Sequence, residues 1–149
     1  MNTATATKAI AVDHTAGAGP RWELAWQFLG ALARRDFSGL ESCLDPNVRF
    51  RALVPRGALE ENGAAHAVAL IRRWFGADDE FEVLDAAIGQ AGPRIYLRWQ
   101  VRTGVADDPS SFRLAEQHAF ATARERIQVL DLLCSGFRPA RLSDEEPGK

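Results

Sequence analysis

Within the segment Ser111–Thr122, S-F-R-L-A-E-Q-H-A-F-A-T, the chain sets an acid and an imidazole two residues apart, Glu116 and His118. Alternate side chains of an extended strand share a face, so the pair falls in line with the apolar Phe112, Leu114 and Phe120. Read as the buried face, this stripe is a general acid/base couple. Desolvation raises a carboxyl's pKa so that it stays protonated and donates a hydrogen bond, and a histidine beside it takes or returns the proton. Two plainer readings stand beside that one. Glu116 pairs with an arginine such as Arg98 or Arg113 while His118 is a satisfied core histidine, or a one-residue slip turns both outward and puts Arg113 and Gln117 in their place. A further acid, Asp131 in V-L-D-L-L-C-S-G, lies between two equally apolar alternating sets, so it is either outward-facing or a second pocket acid.

Other chemistries find little support. Cys43 and Cys134 are isolated, and neither His14 nor His66 makes a ligand spacing with another His, Asp or Glu, so no metal is expected. No glycine-rich phosphate loop follows a strand and no serine sits in a nucleophile elbow, which sets aside nucleotide cofactors and serine hydrolysis. The formal charge of −2 gives no general attraction to nucleic acid or an anionic membrane, and no apolar stretch approaches the roughly 20 residues of a membrane span. With single, scattered cysteines and a poor signal-peptide pattern at the start, the expected location is cytoplasmic.

The elements that must position these residues follow from periodicity. Pro20 opens a helix in which Trp22, Ala25, Trp26, Leu29 and Leu32 recur at helical spacing. Asp36 caps a short second helix that Asp45-Pro46 stops, and N-V-R-F-R-A-L-V then alternates as a strand. Residues 55–63 read as a loop, Asn62 as the cap of a third helix, and Gly76 as its end. Four strands follow, near 80–90, 93–105, 110–123 and 126–137. The expected fold is α+β: residues 20–138 form one domain in which a curved mixed β-sheet wraps about three N-terminal helices, between a flexible leader (1–19) and tail (139–149). Such a cone encloses a pocket if its lining is incomplete.

The same residues resemble the nuclear transport factor 2-like superfamily and, within it, the SnoaL-like proteins. The resemblance rests on A-R-R-D-F-S-G-L, on C-L-D-P-N-V-R-F before the first long strand, on Gly63 and the W-F that open and close the third helix, and on R-I-Q-V-L near the end. It implies the conical fold, cofactor-free chemistry on apolar polyketide- or terpenoid-like molecules in some members, and a homodimer through the convex sheet face, where Tyr96, Arg98, Gln100 and Arg102 line up. Against the ketosteroid isomerase pattern, Glu116 falls on the position of the oxyanion-binding acid. Phe50 replaces the base, and Phe28 replaces the first-helix tyrosine.

Catalytic roles are therefore expected for Glu116 and His118, and substrate contacts for Trp22, Trp26, Phe28, Phe50, Trp74, Trp99, Phe120 and Asp131. The expected function is a small-molecule pocket that performs isomerisation, cyclisation or hydration by acid/base chemistry. The alternative is a non-catalytic domain that binds a ligand or a partner.

Overall fold

The three-dimensional structure is a computed structural model describing residues 10–12 and 19–140. Helix α1 (Pro20–Ala33) starts on a proline, whose missing N–H costs nothing in a first turn, and buries Trp22, Ala25, Phe28, Leu29 and Leu32. It ends at Ala33, and the guanidinium Nη1 of Arg35 just beyond donates to the carbonyls of Phe75 and Asp78 at 3.1 and 2.6 Å. Asp36 caps α2 (Phe37–Cys43) as expected, its Oδ1 accepting from the Gly39 amide at 2.9 Å. Helix α3 (Ala64–Phe75) departs from expectation at its start. The cap is Gly63 at φ 97°, a conformation glycine adopts without steric cost, while Asn62 ends the preceding strand.

Eight strands make one mixed sheet: β1 (Ile10–Val12), β2 (Leu44–Val54), β3 (Gly57–Asn62), β4 (Glu80–Ala91), β5 (Arg94–Val105), β6 (Asp108–Ala123), β7 (Ile127–Cys134) and β8 (Arg138–Pro139). Their order is β1-β4-β5-β6-β7-β2-β3. Strand β8 continues along β6 past the end of β7, opposite Arg113 and Leu114. Pairing is antiparallel except β1 with β4 and β2 with β7, and register shifts at Val83/Asp85, Thr103/Val105 and Thr122/Ala123 bend the long strands.

Three expectations need correction. The segment read as a loop contains β3, an edge strand antiparallel to β2. Strand β2 begins at Leu44, ahead of Asn47, because Leu44 pairs with Ile127. The stretch read as leader contains the short strand β1, and β8 straddles the boundary expected between domain and tail, while residues 1–9, 13–18 and 141–149 lie outside the described residues.

The helices cover one face of this sheet. Phe28 of α1 lies against Trp99 of β5 with ring centroids 5.9 Å apart, and Phe50 of β2 meets Trp74 of α3 at 6.2 Å. Phe75 joins Phe81 and Phe137 at 5.3 and 6.0 Å. Such tilted and edge-on contacts are the arrangements that aromatic rings prefer. On the outer face Gly104 serves a packing purpose: a Cβ there would sit 2.7 Å from the Phe112 ring, which lies over the strand.

Candidate functional site: two faces of the central strand

The register between β5 and β6 decides what enters the cone. Trp99 stands opposite Gln117, Leu97 opposite Ala119 and Val101 opposite Ala115. Directly opposed residues of an antiparallel pair point to the same face. Since Ile95, Leu97, Trp99 and Val101 are the buried set of β5, Ala115, Gln117, Ala119 and Ala121 are forced inward. Glu116 and His118, opposite Gln100 and Arg98, face out. The expectation that this pair lines the cone is therefore overturned. Its side chains are 39% and 32% exposed, whereas Gln117 is 0% exposed. The one-residue alternative holds for Gln117; Arg113 is exposed.

Inside the cone, the Trp99 indole N–H donates to Gln117 Oε1 at 2.8 Å. Because that indole nitrogen is only a donor, the amide orientation is settled, and Gln117 Nε2 is the group left over. This nitrogen is buried without a hydrogen-bond partner. The polar side chains fully buried among the described residues are Thr103 and Gln117, so no buried carboxylate or imidazole lines the interior. Cys43 is buried, and that burial, with the charge of Asp36 second, pushes its thiol pKa up and keeps it protonated and inert.

The other expected substrate contacts divide between the faces. Trp22, Phe28, Phe50 and Trp99 are buried in the cone, and Trp26 and Trp74 are half-buried at its margin. Trp26 reaches a surface depression bordered by Arg34 and Ser42. Phe120 and Asp131 are opposite one another in register and both lie outside, which corrects their placement in a pocket of the cone.

The outer face gathers the polar chemistry. His118 Nε2–H donates to Glu116 Oε2 at 2.7 Å, and the Tyr96 hydroxyl donates to His118 Nδ1 at 2.6 Å. A carboxylate offers acceptors only, so Glu116 fixes the imidazole tautomer and leaves Nδ1 to accept from the phenol. Across the sheet, Asp131 takes Arg51 Nε and Nη2 at 2.7 and 2.8 Å and Arg94 Nη1 at 2.9 Å. The Arg51 guanidinium above all, with Arg94 adding to it, holds the Asp131 carboxyl below the usual carboxylate range against the opposing effect of partial burial. Arg98 and Arg102 pair with Asp85 and Glu82 at 3.0 and 2.8 Å. Beside Asp131 an open cleft of about 490 Å³ is floored by Leu53, Ala58, Leu133 and Phe120 and edged by Arg51, Glu60 and Asp131.

Sequence reasoning passed over Gln117 and Tyr96 as site residues. The signal for Gln117 was its place among Ala115, Ala119, Ala121 and Ala123, a second alternating apolar set made of small residues. The signal for Tyr96 was the outward strip of β5, which runs beside β6 in the sheet. Among the described residues no group of three or more His, Cys, Asp or Glu is placed to hold a metal, and no helix is long and apolar enough to cross a membrane.

Known structures share the architecture. An LEH-like epoxide hydrolase of M. tuberculosis superposes with TM-score 0.60 at 17% identity, over 78% of this chain and 83% of its own. An NTF2-like protein of unknown function from Burkholderia pseudomallei gives 0.61 at 17%, over 81% and 92%. A protein with a ketosteroid isomerase-like fold from Catenulispora acidiphila, solved with trimethylamine, gives 0.61 at 12%, over 76% and 85%. At these identities the likeness establishes the NTF2-like α+β cone and nothing finer. No curated protein matches the sequence. The model of the SnoaL-like domain matches residues 25–129, most of the chain, and the protein belongs to the SnoaL-like domain family.

Proposed function

We propose that this SnoaL-like chain is a binding domain whose cone holds an apolar small molecule at the Gln117 amide and does not transform it there. The observation that carries this reading is the enclosed Gln117 Nε2, a donor without an acceptor. Leaving such a group dry costs about 1–3 kcal/mol, which an occupant bearing an acceptor oxygen would offset. That oxygen belongs to a neutral group such as a ketone, ester or ether. A carboxylate would enter an interior in which, among the described residues, no cation is buried to balance it. The neighbours of that amide are apolar, the Trp99 and Phe28 rings and the methyl groups of Ala115 and Ala119. Turnover would need an acid or base at the reacting atoms. The positions at which an isomerase keeps its base and tyrosine are hydrocarbon here, Phe50 and Phe28, and the Glu116–His118 pair is on the wrong side of the sheet.

Fluorescence titration with a naphthyl methyl ketone, against the ethylnaphthalene of the same shape, tests the reading. The ketone is expected to bind roughly 3- to 10-fold more tightly, the worth of one neutral hydrogen bond, and Gln117→Leu is expected to erase the difference. Equal affinity for both compounds, or binding of neither, would remove the basis for the proposal. Formation of a labelled diol from an aryl epoxide in isotopic water would overturn its non-catalytic half.

A further inference from the structure

We propose that Tyr96 is an acyl-accepting nucleophile on the outer face, with His118 as its base and Glu116 as the residue that positions that base. The inference is independent of what the cone holds. It starts from the continuous chain of contacts Glu116 Oε2, His118 Nε2 and Nδ1, Tyr96 Oη, closed at 2.7 and 2.6 Å. A hydroxyl bonded to an imidazole whose other nitrogen is held by a carboxylate is the arrangement that activates an alcohol for acyl transfer, recognised by geometry and not by fold. Tyr96 is the only tyrosine in the chain. Its ring lies 5.9 Å from that of His118 at 27°, close to parallel, and 5.3 Å from Phe120, so the phenol is held in place by packing.

The surroundings suit an acyl donor with an apolar body. Phe120 connects Tyr96 to the cleft of about 490 Å³, whose floor of Leu53, Ala58 and Leu133 accepts hydrocarbon. The charged and titratable groups that face His118 are accounted for on every neighbouring strand. From β5 come Tyr96 and Arg98, the latter paired with Asp85 of β4; from β6 comes Glu116; β7 sets Leu133 opposite His118 and Asp131 one pair further on, held by Arg51 of β2 and Arg94. No lysine in the described residues competes for the phenol proton.

With an aryl ester as donor, Tyr96 Oη attacks the carbonyl carbon and its proton passes to His118 Nδ1. Collapse of the tetrahedral adduct breaks the ester C–O bond. The departing phenolate takes the proton from His118, leaving a neutral imidazole, an acylated Tyr96 and a free phenol. No electron changes hands.

The test is reaction of the full chain with p-nitrophenyl butyrate, followed by release of nitrophenol and by mapping the butyryl group with tandem mass spectrometry. The expected result is one butyryl group on Tyr96, absent in Tyr96→Phe. Loss of the base in His118→Gln is expected to slow labelling about 100-fold or more, with His118→Asn as a second variant and circular dichroism confirming that each is folded. Glu116→Gln is expected to slow labelling and Glu116→Asp to restore part of the rate, with circular dichroism again confirming that each variant is folded. A butyryl group elsewhere, or a rate unchanged in both folded His118 variants, would overturn the proposal. So would a dimer in which Tyr96 reacts only after Leu133→Arg separates the subunits, since a second copy would then cover this face.

Discussion

On the inner face of β6, Ala115, Gln117, Ala119 and Ala121 are at most 2% exposed; one residue along, on the outer face, the Glu116 and His118 side chains keep more than 30% of their surface. The two faces solve the problem of polarity in opposite ways. Inside, a single amide is tolerated because Trp99 takes its oxygen, and its nitrogen remains unpaired. Outside, acids and bases are numerous, yet hydrogen bonds and ion pairs join them into short sets: Glu116 with His118 and Tyr96, Asp131 with Arg51 and Arg94, Asp85 with Arg98, Glu82 with Arg102. Water screens exposed ion pairs and weakens them, whereas enclosure makes any unmade bond expensive. An unpaired neutral donor inside is therefore a stronger pointer to a ligand site than the paired charges outside.

The sharpest way to break this contrast is to exchange the chemistry of adjacent positions. Ala119→Arg places an unpaired cation inside the cone and is expected to cost about 3–5 kcal/mol or to prevent folding, as read by urea unfolding. Trp99→Ala removes the largest fully buried side chain together with the partner of Gln117. A loss of about 3–5 kcal/mol is expected, with a measured cost below 1 kcal/mol showing that the cone is loosely packed.

Effects on the outer face should be smaller and, for one residue, dependent on pH. The Asp131 carboxyl is held below its ordinary value, so its ion pairs contribute fully above the unfolded-state value near 3.9 and lose that contribution as pH falls through the lower folded-state value. Asp131→Asn should therefore destabilise the protein in neutral solution, the gap from the unaltered chain closing below about pH 4 in parallel unfolding curves. A gap that persists in acid would mean that shape, not charge, matters there. Tyr96→Phe removes one hydrogen bond and is expected to cost about 0.5–1.5 kcal/mol. Leu133→Arg, at a side chain already 47% exposed, should change stability by no more than about 0.5 kcal/mol in either direction.

Much of the architecture was legible before the structure. The helical spacing of Trp22, Ala25, Leu29 and Leu32 placed α1, Asp36 announced the cap of α2, and the alternation of Ile95, Leu97, Trp99 and Val101 assigned both faces of β5 correctly. Strand β3 escaped notice because G-A-L-E-E-N has neither β-branched residues nor alternation, and an edge strand with charged side chains has no need of them. The faces of β6 were misjudged because Phe112, Leu114 and Phe120 outweigh alanines on any hydrophobicity scale. Alanines are what fits where a neighbouring strand already supplies Trp99 and a helix supplies Phe28.

Local chemistry in the sequence was thus enough to determine the three helices and the five longest strands, their order, and the presence of an acid, an imidazole and a phenol on neighbouring strands. Only the tertiary structure decided on which side of the sheet that chemistry lies. Strand alternation has period two, so a pattern of two apolar sets is satisfied equally well either way up. Pairing with β5, whose large residues are committed to the helices, removed the ambiguity, sending Gln117 into the cone and bringing Glu116, His118 and Tyr96 together outside it.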